Sequence, residues 1–345
     1  MKFEAFTIKD IAKALGLSTS TVSRALRDSY QISPETKKLV LDYAKKINYS
    51  PNPIALSLKE KRSRSIGVIV CEIANSFFSQ AINGIESIAY DRGYNVIIAQ
   101  SHESYEREVN DLQFLASRSI DGLLISVSSE TKDFEHFMAL QNKGLPIVFF
   151  DRIVENIKTH KVVVNNFKGS YDATTHLVKN GYRHIAHLAN SECLSITKER
   201  VAGYCAALKD QGIEVVESYI KYCAHGGMLY QEIEEALNEI MKNDNLPQAV
   251  FAAGDKLTTG FLRYFRGRNI KVPEEIGLAG FSNLDLTDLI DPSLTVVRQP
   301  AFEMGKAATD LLLSQIESKR PIQEFQKTIL EPELVIRESS GGGLV

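Results

Sequence analysis

The stretch TIKDIAKALGLSTSTVSRAL, residues 7–26, contains two short helical patterns separated by a glycine. In the first pattern the apolar residues recur on one helical face, Thr7 is suited to cap the first turn, and Gly16 ends the helix. Ser18 is suited to cap the second helix, whose inner face is aliphatic. The stretch therefore predicts two short helices joined by a tight turn.

A third helix is predicted to begin at Ser33-Pro34-Glu35, where a cap, a first-turn proline and a first-turn acid coincide, and to run to about Asn48. Its predicted inner residues are Leu39, Val40, Tyr43 and Ile47. The second helix turns outward a set of polar side chains that can reach base edges in a DNA groove: Thr19, Ser20, Ser23 and Arg24. An ordinary helical hairpin with a polar surface is the alternative.

Charge separates this N-terminal segment from the rest of the chain. Residues 1–65 hold 13 Lys+Arg and 6 Asp+Glu, a net charge of +7, whereas the remainder holds 27 against 37, a net charge of −10. A basic head on an acidic body is typical of a protein that binds a polyanion. Basic side chains of the head are candidates for phosphate contacts: Lys9, Arg27, Lys37, Lys38, Lys45 and Lys46. On charge alone, a basic solvated surface is the alternative.

A linker follows the head. Two prolines interrupt regular structure in residues 49–53, and the run Ile54-Ala55-Leu56-Ser57-Leu58 predicts a very short helix. It is far shorter than the ~12–15 residues that a helix needs to persist alone in water, so it requires a partner to form.

Composition limits the class of protein. The chain has 345 residues, of which 44% are hydrophobic and 24% charged, as in soluble globular proteins. No apolar run approaches the ~20 residues that cross a bilayer, and residues 1–5 lack the apolar core of a signal peptide, so a cytoplasmic location without a membrane partner is expected. Four scattered cysteines predict reduced, mostly buried thiols: Cys71, Cys193, Cys205 and Cys223.

Beyond residue 65, strand-like apolar runs alternate with helix-length segments. Ten such runs are visible, near residues 66–70, 95–100, 122–127, 147–150, 162–164, 184–189, 219–223, 249–252, 276–281 and 294–297. Repeated strand–helix units predict an α/β fold with parallel sheets covered on both faces. Ten strands are many for one open sheet, so two similar lobes with a cleft between them are expected.

Polar residues end several of these runs, where ligands bind in such folds. They are Asp151-Arg152, Asn190, Gly254-Asp255 and Ser282-Asn283. Together with the aromatic pair Phe77 and Phe78 they would suit a sugar or another small polar metabolite. For any single one of them, a helix cap or a loop hydrogen bond is the alternative.

Catalytic and metal signatures are missing from the sequence. It contains no G-x-G-x-x-G after a strand, no G-x-x-x-x-G-K-[ST], no G-x-S-x-G and no H-E-x-x-H. His184 and His187 lie three apart in a strand-like run and therefore on opposite faces, one packed and one exposed, rather than in a metal site. Neither an enzyme nor a cofactor nor a metal is expected.

The motifs quoted so far resemble the LacI/GalR family of bacterial transcription regulators. The resemblance rests on Thr7-Ile8-Lys9-Asp10-Ile11-Ala12, Gly16-Leu17-Ser18, Thr21-Val22-Ser23-Arg24-Ala25-Leu26 and Asn48-Tyr49-x-Pro51-Asn52. Further matches are Ser65-Ile66-Gly67-Val68-Ile69, Arg200-x-Ala202-Gly203, Gly280-Phe281 and Leu294-Thr295-x-Val297-x-Gln299. It thus extends over nearly the whole chain.

The resemblance implies a helix-turn-helix head in the major groove and two hinge helices of a dimer in the minor groove, where Leu58 matches the wedging leucine. The DNA-binding residues inferred from spacing and resemblance together are Thr7, Ser18, Thr19, Ser20, Thr21, Ser23, Arg24, Asn52, Leu58 and Lys59. The body resembles a periplasmic sugar-binding protein that holds an effector between its lobes. The effector-binding residues inferred are Phe77, Phe78, Asp151, Arg152, Arg200, Asp255, Ser282, Asn283 and Gln299.

The domains are accordingly placed at residues 1–50 (helix-turn-helix), 51–65 (linker with hinge helix), 66–338 (two-lobed effector-binding and dimerisation domain) and 339–345 (flexible tail). We expect a homodimeric regulator, a repressor, that binds a palindromic double-stranded operator and a small-molecule effector such as a sugar. A solute- or carbohydrate-binding protein with the same two-lobed body is the alternative, and an enzyme with a DNA-binding head is a second one.

Departures from the family pattern leave the chemical class of the effector undetermined. Gly254 stands where the family commonly has Asn, and Ser282 stands where it commonly has Asp, so two sugar-hydroxyl partners are missing. Leu56 replaces an arginine that is common in the hinge. An anionic ligand held by the basic residues of the body is conceivable: Arg200, Arg152 or Lys256.

Overall fold

The computed structural model describes residues 6–49, 62–243, 245–320 and 322–341. Its internal contacts divide the chain into two compact units, Met1–Arg64 and Ser65–Val345.

The first unit contains three helices, α1 (Ile8–Leu15), α2 (Thr19–Ala25) and α3 (Pro34–Lys46). The carboxylate of Asp10 accepts hydrogen bonds from the backbone and the hydroxyl of Thr7, at 2.8 and 2.7 Å, which fixes the start of α1. Gly16 ends α1 at a φ of 65°, a left-handed conformation that favours glycine. Ser18 then caps α2 by accepting a hydrogen bond from the Thr21 amide at 3.1 Å.

The core of this unit joins all three helices. Its buried residues are Ile11, Ala12, Val22, Ala25, Val40 and Ala44. The prediction that Leu39 lies inside is wrong, because this side chain is 50% exposed. Val40 and Ala44, four residues apart on α3, face the other two helices, and Leu39 is turned away from that face.

The second unit is built from alternating strands and helices. Its strands are β1 (Ser65–Val70), β2 (Asn95–Gln100), β3 (Gly122–Ile125), β4 (Ile147–Phe150), β5 (Lys161–Val164), β6 (Ile185–Ala189), β7 (Ile220–Tyr222), β8 (Ala249–Ala252), β9 (Gly277–Phe281), β10 (Thr295–Arg298), β11 (Lys327–Leu330) and β12 (Glu333–Val335). Its helices are α4 (Ser76–Asp91), α5 (Tyr105–Ser117), α6 (Glu135–Asn142), α7 (Asn166–Lys179), α8 (Ser195–Asp210), α9 (Tyr230–Ile240), α10 (Asp255–Gly267) and α11 (Ala301–Glu317).

These strands form two six-stranded sheets within the described residues. The order is β11-β5-β4-β3-β1-β2 in one sheet and β12-β10-β9-β8-β6-β7 in the other. In the first sheet β1 pairs in parallel with both β2 and β3, so that Ile66 is opposite Val96 and Gly122. In the second sheet β6 pairs in the same way with β7 and β8. The same strand order in both sheets confirms the predicted two similar lobes.

The chain passes between the lobes at three places among the described residues, after β5, after β10 and after β11. We call the lobe of the first sheet lobe 1 and that of the second sheet lobe 2. Lobe 1 also contains α4 and α11, and lobe 2 contains α7 and α8. In α/β sheets of this kind, ligands bind outside the carboxyl ends of the strands, which here border the space between the lobes.

Two strands, β11 and β12, were not among the ten that the sequence predicts. Each has only three or four residues and is partly exposed, so neither shows the continuous apolar run of a buried parallel strand. β12 also pairs antiparallel with β10, with Val296 opposite Val335, at the edge of an otherwise parallel sheet.

The C-terminal segment differs from the expected flexible tail. Ser339 and Ser340 are fully buried. The Ser339 hydroxyl donates to the carbonyl of Leu278 at 2.7 Å and accepts from the amide of Thr295 at 2.8 Å. These serines therefore satisfy backbone groups of lobe 2, and residues 342–345 of the predicted tail lie outside the described residues.

Within the part of the chain that the structure describes, no helix is long and apolar enough to cross a membrane. The four cysteines are free thiols; Cys71 and Cys223 are buried, Cys205 is half-buried and Cys193 is exposed.

Candidate functional site

The cleft between the lobes has about 610 Å³ of space not filled by atoms, part of it open to solvent. Residues from both lobes line it, and they include four carboxylates, two arginines, one lysine and several aromatic rings. Phe77 and Phe78 open α4, where Asn75 caps the helix by accepting from the Phe77 amide at 2.9 Å. Their rings meet edge to face and form one apolar wall.

A buried ionic network lies on the lobe 1 side of the cleft. Asp151 follows β4 at a φ of 59°, a left-handed conformation that aspartate tolerates better than most residues and that is common at functional sites. Arg152 donates from Nη1 to both carboxylate oxygens of Glu103 at 2.7 Å and to the sulfur of Cys71 at 3.1 Å. Burial opposes ionisation of Glu103, but the Arg152 guanidinium lowers the pKa of this carboxyl below its usual range. Burial raises the pKa of Asp151.

Arg200 occupies the opposite side of the cleft, on α8. Its guanidinium lies 3.8 Å over the centre of the Phe281 ring, a cation–π contact. Nε donates to Asn166 Oδ1 at 2.8 Å and Nη1 donates to the carbonyl of Ala253 at 2.6 Å. Burial lowers the pKa of Arg200 to about 10, so the side chain remains a cation at neutral pH.

Asp255 begins α10 on the lobe 2 side. One of its carboxylate oxygens accepts from the hydroxyl of Ser282 at 2.6 Å and from the amide of Asn283 at 2.8 Å. Burial raises the pKa of Asp255, and these two hydrogen bonds act in the opposite direction. Ser282 and Asn283 thus orient Asp255 rather than line the cleft themselves.

The lobes contact each other beside the cleft through polar side chains. The amide of Gln80 on α4 donates to the carbonyl of Asn283 at 3.0 Å and accepts from the Asn283 side chain at 2.8 Å. The ammonium of Lys256, on α10, lies 2.9 and 2.8 Å from the two carboxylate oxygens of Glu72, which follows β1.

The structure brings most of the predicted effector-binding residues together. Seven of the nine line the cleft: Phe77, Phe78, Asp151, Arg152, Arg200, Asp255 and Gln299. Lining residues absent from the predicted set include Cys71, Glu72, Asn75, Glu103, Ile196, His225 and Met228. Glu72, Glu103 and His225 follow β1, β2 and β7. The rule that ligands bind at strand ends applies equally to these strands and would have identified them.

The two histidines of the β6 region are not part of this site. His187 is fully buried and stacks between the rings of Tyr204 and Phe251, each 5.0 Å away, while His184 is half-buried just before the strand. Burial lowers the pKa of His187 to about 4.

The predicted DNA-binding residues divide into three groups. Thr7, Thr19, Ser20 and Arg24 are exposed, and Ser23 is half-buried. Ser18 and Thr21 bond to each other through their hydroxyls at 2.8 Å, and Ser18 caps α2. Asn52, Leu58 and Lys59 lie outside the described residues.

Comparison with known proteins adds to this geometry. Residues 7–52 match the family described as bacterial regulatory proteins, lacI family. Residues 63–330 match the family described as periplasmic binding proteins and sugar binding domain of LacI family. The chain belongs to the LacI family.

Members of this family are similar to the chain over nearly its whole length. The HTH-type transcriptional repressor PurR of Vibrio campbellii is 31% identical over 335 residues, which cover 96% of this chain and 98% of the relative. The transcriptional regulator CelR in complex with cellobiose is 27% identical with a TM-score of 0.71, over 97% of this chain and 99% of that one. A LacI-family regulator of Enterococcus faecium with bound ribose is 27% identical with a TM-score of 0.67, over 80% and 98%.

The lac repressor dimer bound to operator shares the fold, with a TM-score of 0.81 at 23% identity, over 98% of this chain and 100% of that one. With this membership the protein is a DNA-binding transcriptional regulator with a helix-turn-helix region and a small-molecule effector domain. The predicted regulator is thereby confirmed over the solute-binding alternative.

Proposed function

We propose that this LacI-family regulator is a homodimeric repressor that binds a palindromic operator and responds to a sugar or a similar polyhydroxylated molecule held between its lobes. The observation that carries the proposal is the cleft, where ordered carboxylates, a stacked guanidinium and aromatic rings converge. A carboxylate offers two acceptor oxygens and a guanidinium offers several N–H donors, so each can bind two neighbouring hydroxyls. Aromatic rings cover the apolar faces of sugar rings.

Two buried donors support a hydroxylated ligand. Among the described residues, Nε2 of Gln299 and Nε of Arg152 are buried and make no hydrogen bond, although both side chains line the cleft. A buried donor without an acceptor lowers the stability of the folded protein, so a ligand that supplies an acceptor is favoured. The sugars in the CelR–cellobiose and ribose complexes belong to relatives with the same fold, which favours this ligand class.

Dimer formation is supported by the edges of the two sheets. β2 and β7 end the sheets on corresponding sides, and Ile98 and Tyr222 on them are 39% and 42% exposed. A second copy would cover these apolar side chains. In our proposal the dimer brings two heads and two linkers to one DNA site, where Leu58 enters the minor groove.

The proposed mechanism is a shift between two arrangements of the lobes. A sugar that contacts both lobes favours one closure angle, and the changed spacing of the linkers then changes operator affinity by the ratio of sugar affinities in the two states. The proposal places the protein in the cytoplasm, where it meets both DNA and metabolites.

Selection of bound sites from a random DNA library by the full-length protein tests the proposal. An enriched palindrome is expected, and release or tightening of that DNA by one member of a panel of neutral sugars. Enrichment of a single half-site without symmetry would contradict the dimer. An operator complex that responds to none of the sugars but to another metabolite class would contradict the ligand.

A further inference from the structure

We infer that Glu72 acts as a charge filter in the cleft: by pairing with Lys256 it excludes phosphorylated and other anionic ligands and leaves room for neutral ones. This inference rests on the proposed function, because it concerns which effector the cleft accepts.

The argument begins with the cations that line the cleft. Arg152 is bound by both oxygens of Glu103. Arg200 is held by Asn166, by the Ala253 carbonyl and by the face of Phe281. These partners of Arg200 are neutral, but they fix its guanidinium in place. Lys256 is the lining cation whose flexible stem would let its ammonium move to a phosphate.

Lys256 is already neutralised across the cleft. Its ammonium contacts both carboxylate oxygens of Glu72, and the two side chains are 36% and 19% exposed. Lys256 belongs to lobe 2 and Glu72 to lobe 1, so this ion pair joins the lobes. Such a half-buried pair is screened less by solvent than one on the open surface.

The start of α10 gives a second reason. Lys256 is the second residue of this helix, where the helix dipole disfavours a cation and favours an anion. Asp255, the first residue, already places a negative charge there and is fixed by Ser282 and Asn283. A phosphate that approaches the start of α10 would therefore meet the carboxylates of Asp255 and Glu72.

The charge of the whole lining agrees with this. Four carboxylates face the cleft, Glu72, Glu103, Asp151 and Asp255, against three permanent cations. The titratable group, His225, is hydrogen-bonded at 2.6 Å to Glu232, whose carboxylate raises the pKa of His225 and balances its charge once protonated. Arg152 and Lys256 are paired with carboxylates, whereas the hydrogen bonds of Arg200 go to neutral groups, so Glu72 acts on the flexible cation of the lining, Lys256.

Removal of the Glu72 charge should convert Lys256 into an anion-binding group. Inorganic phosphate is the probe, titrated calorimetrically into the full chain at constant ionic strength, with chloride as the reference. We expect Glu72→Gln to bind phosphate at least about tenfold more tightly than the wild type, a difference of about 1.4 kcal/mol. The double variant Glu72→Gln with Lys256→Met should lose this gain.

A matched control comes from another lysine–glutamate pair. Lys221 and Glu239 are 2.6 Å apart on lobe 2, and neither lines the cleft. Glu239→Gln also releases a lysine from its carboxylate, yet it should leave phosphate binding unchanged. Glu72→Ala serves as a second release variant, and the melting curve of each variant shows that it is folded.

Tight phosphate binding by the wild type, or equal binding by the wild type and both Glu72 variants, would overturn the charge filter. An equal gain in Glu239→Gln would overturn it as well. The phosphate titration requires neither an operator nor a sugar, so failure of the proposed function would appear in the DNA selection and not here.

Discussion

The orientation of the Arg200 guanidinium in the cleft is fixed by its contacts with the protein. The guanidinium uses Nε and Nη1 to bind the protein and one face to stack on Phe281. Arg200→Lys keeps the charge but loses the planar fork and the stacking. We expect the affinity for the sugar found in the panel to fall about tenfold or more, while operator affinity without sugar is unchanged.

The sugar affinity is measured by titrating the regulator–operator complex with that sugar and following the change in DNA binding. Lys198→Arg is the control, because Lys198 is on the same helix but does not line the cleft. An unchanged sugar response in Arg200→Lys would show that the fixed guanidinium is not used for binding.

His187 predicts a pH dependence of stability. The folded chain keeps this residue neutral down to a pKa of about 4, against an ordinary value of 6.5, because it is fully buried. Between these pH values the unfolded chain binds a proton that the folded chain does not, so the free energy of unfolding decreases as the pH falls from 6.5 toward 4. The full contribution is about 3 kcal/mol.

His187→Gln should therefore flatten the acid side of the stability curve, measured by urea unfolding at several pH values. His184→Gln, at the half-buried histidine before the same strand, is the control and should leave the slope intact. If both variants kept the wild-type slope, another group would be the source of acid sensitivity.

At the scale of elements, each lobe contains two helices in backbone contact. In lobe 1 a side chain added at Gly305 of α11 would collide with the Ala81 carbonyl of α4, and one added at Gly84 would collide with the Phe302 carbonyl. In lobe 2 the same holds for Gly203 of α8 and the Phe167 carbonyl of α7. Glycine is thus required where these helices cross.

Gly305→Ala should lower the free energy of unfolding by about 3 kcal/mol, because the collision is with backbone that cannot rotate away. Gly267→Ala, at the end of α10, meets no atom within 4 Å and should be neutral or stabilising by about 0.5–1 kcal/mol. Chemical denaturation of the full chain compares the two. Equal stability of both variants would show that α4 and α11 can separate without cost.

At the scale of the whole molecule, the separation of charge predicts a salt-dependent affinity for DNA. Because residues 1–65 carry a net charge of +7 and the remainder −10, operator affinity should fall about a thousandfold or more between about 50 and 200 mM salt. Lys38 is an exposed residue of α3 that we expect to contact a phosphate, so Lys38→Ala should reduce the slope of log affinity against log salt by about one.

Gel-shift titrations over a salt series give this slope. Lys221→Ala on lobe 2 is the control and should leave it unchanged. A flat salt dependence of the wild type would contradict counterion release as the source of affinity.

Local sequence signals were sufficient for the helix-turn-helix and for most strands. Thr7, Gly16 and Ser18 act through bonds to residues within a few positions, so their caps can be read from the chain alone. Leu39 shows the limit, since the face of α3 that is buried depends on where the other two helices pack.

The sequence predicted some of the cleft residues but not how each of them is oriented. Asp151, Arg152 and Asp255 lie within three residues of the end of a strand, so the strand-end rule identified them. Whether each one faces the ligand or another side chain depends on residues far away in sequence, since Glu103 binds Arg152 and Ser282 orients Asp255. The short edge strands β11 and β12 form only because a lobe is already there to pair with them.

The sequence by itself determined the class of protein, a basic three-helix head followed by repeated strand–helix units, because capping, periodicity and charge are properties of neighbouring residues. Only the tertiary structure decided the charge state of the cleft. Lys256 is 184 residues from Glu72, and their contact depends on the two lobes bringing the segment after β1 to the start of α10. The electrostatic energy of two charges depends on the distance between them, and for residues far apart in sequence the tertiary fold sets that distance.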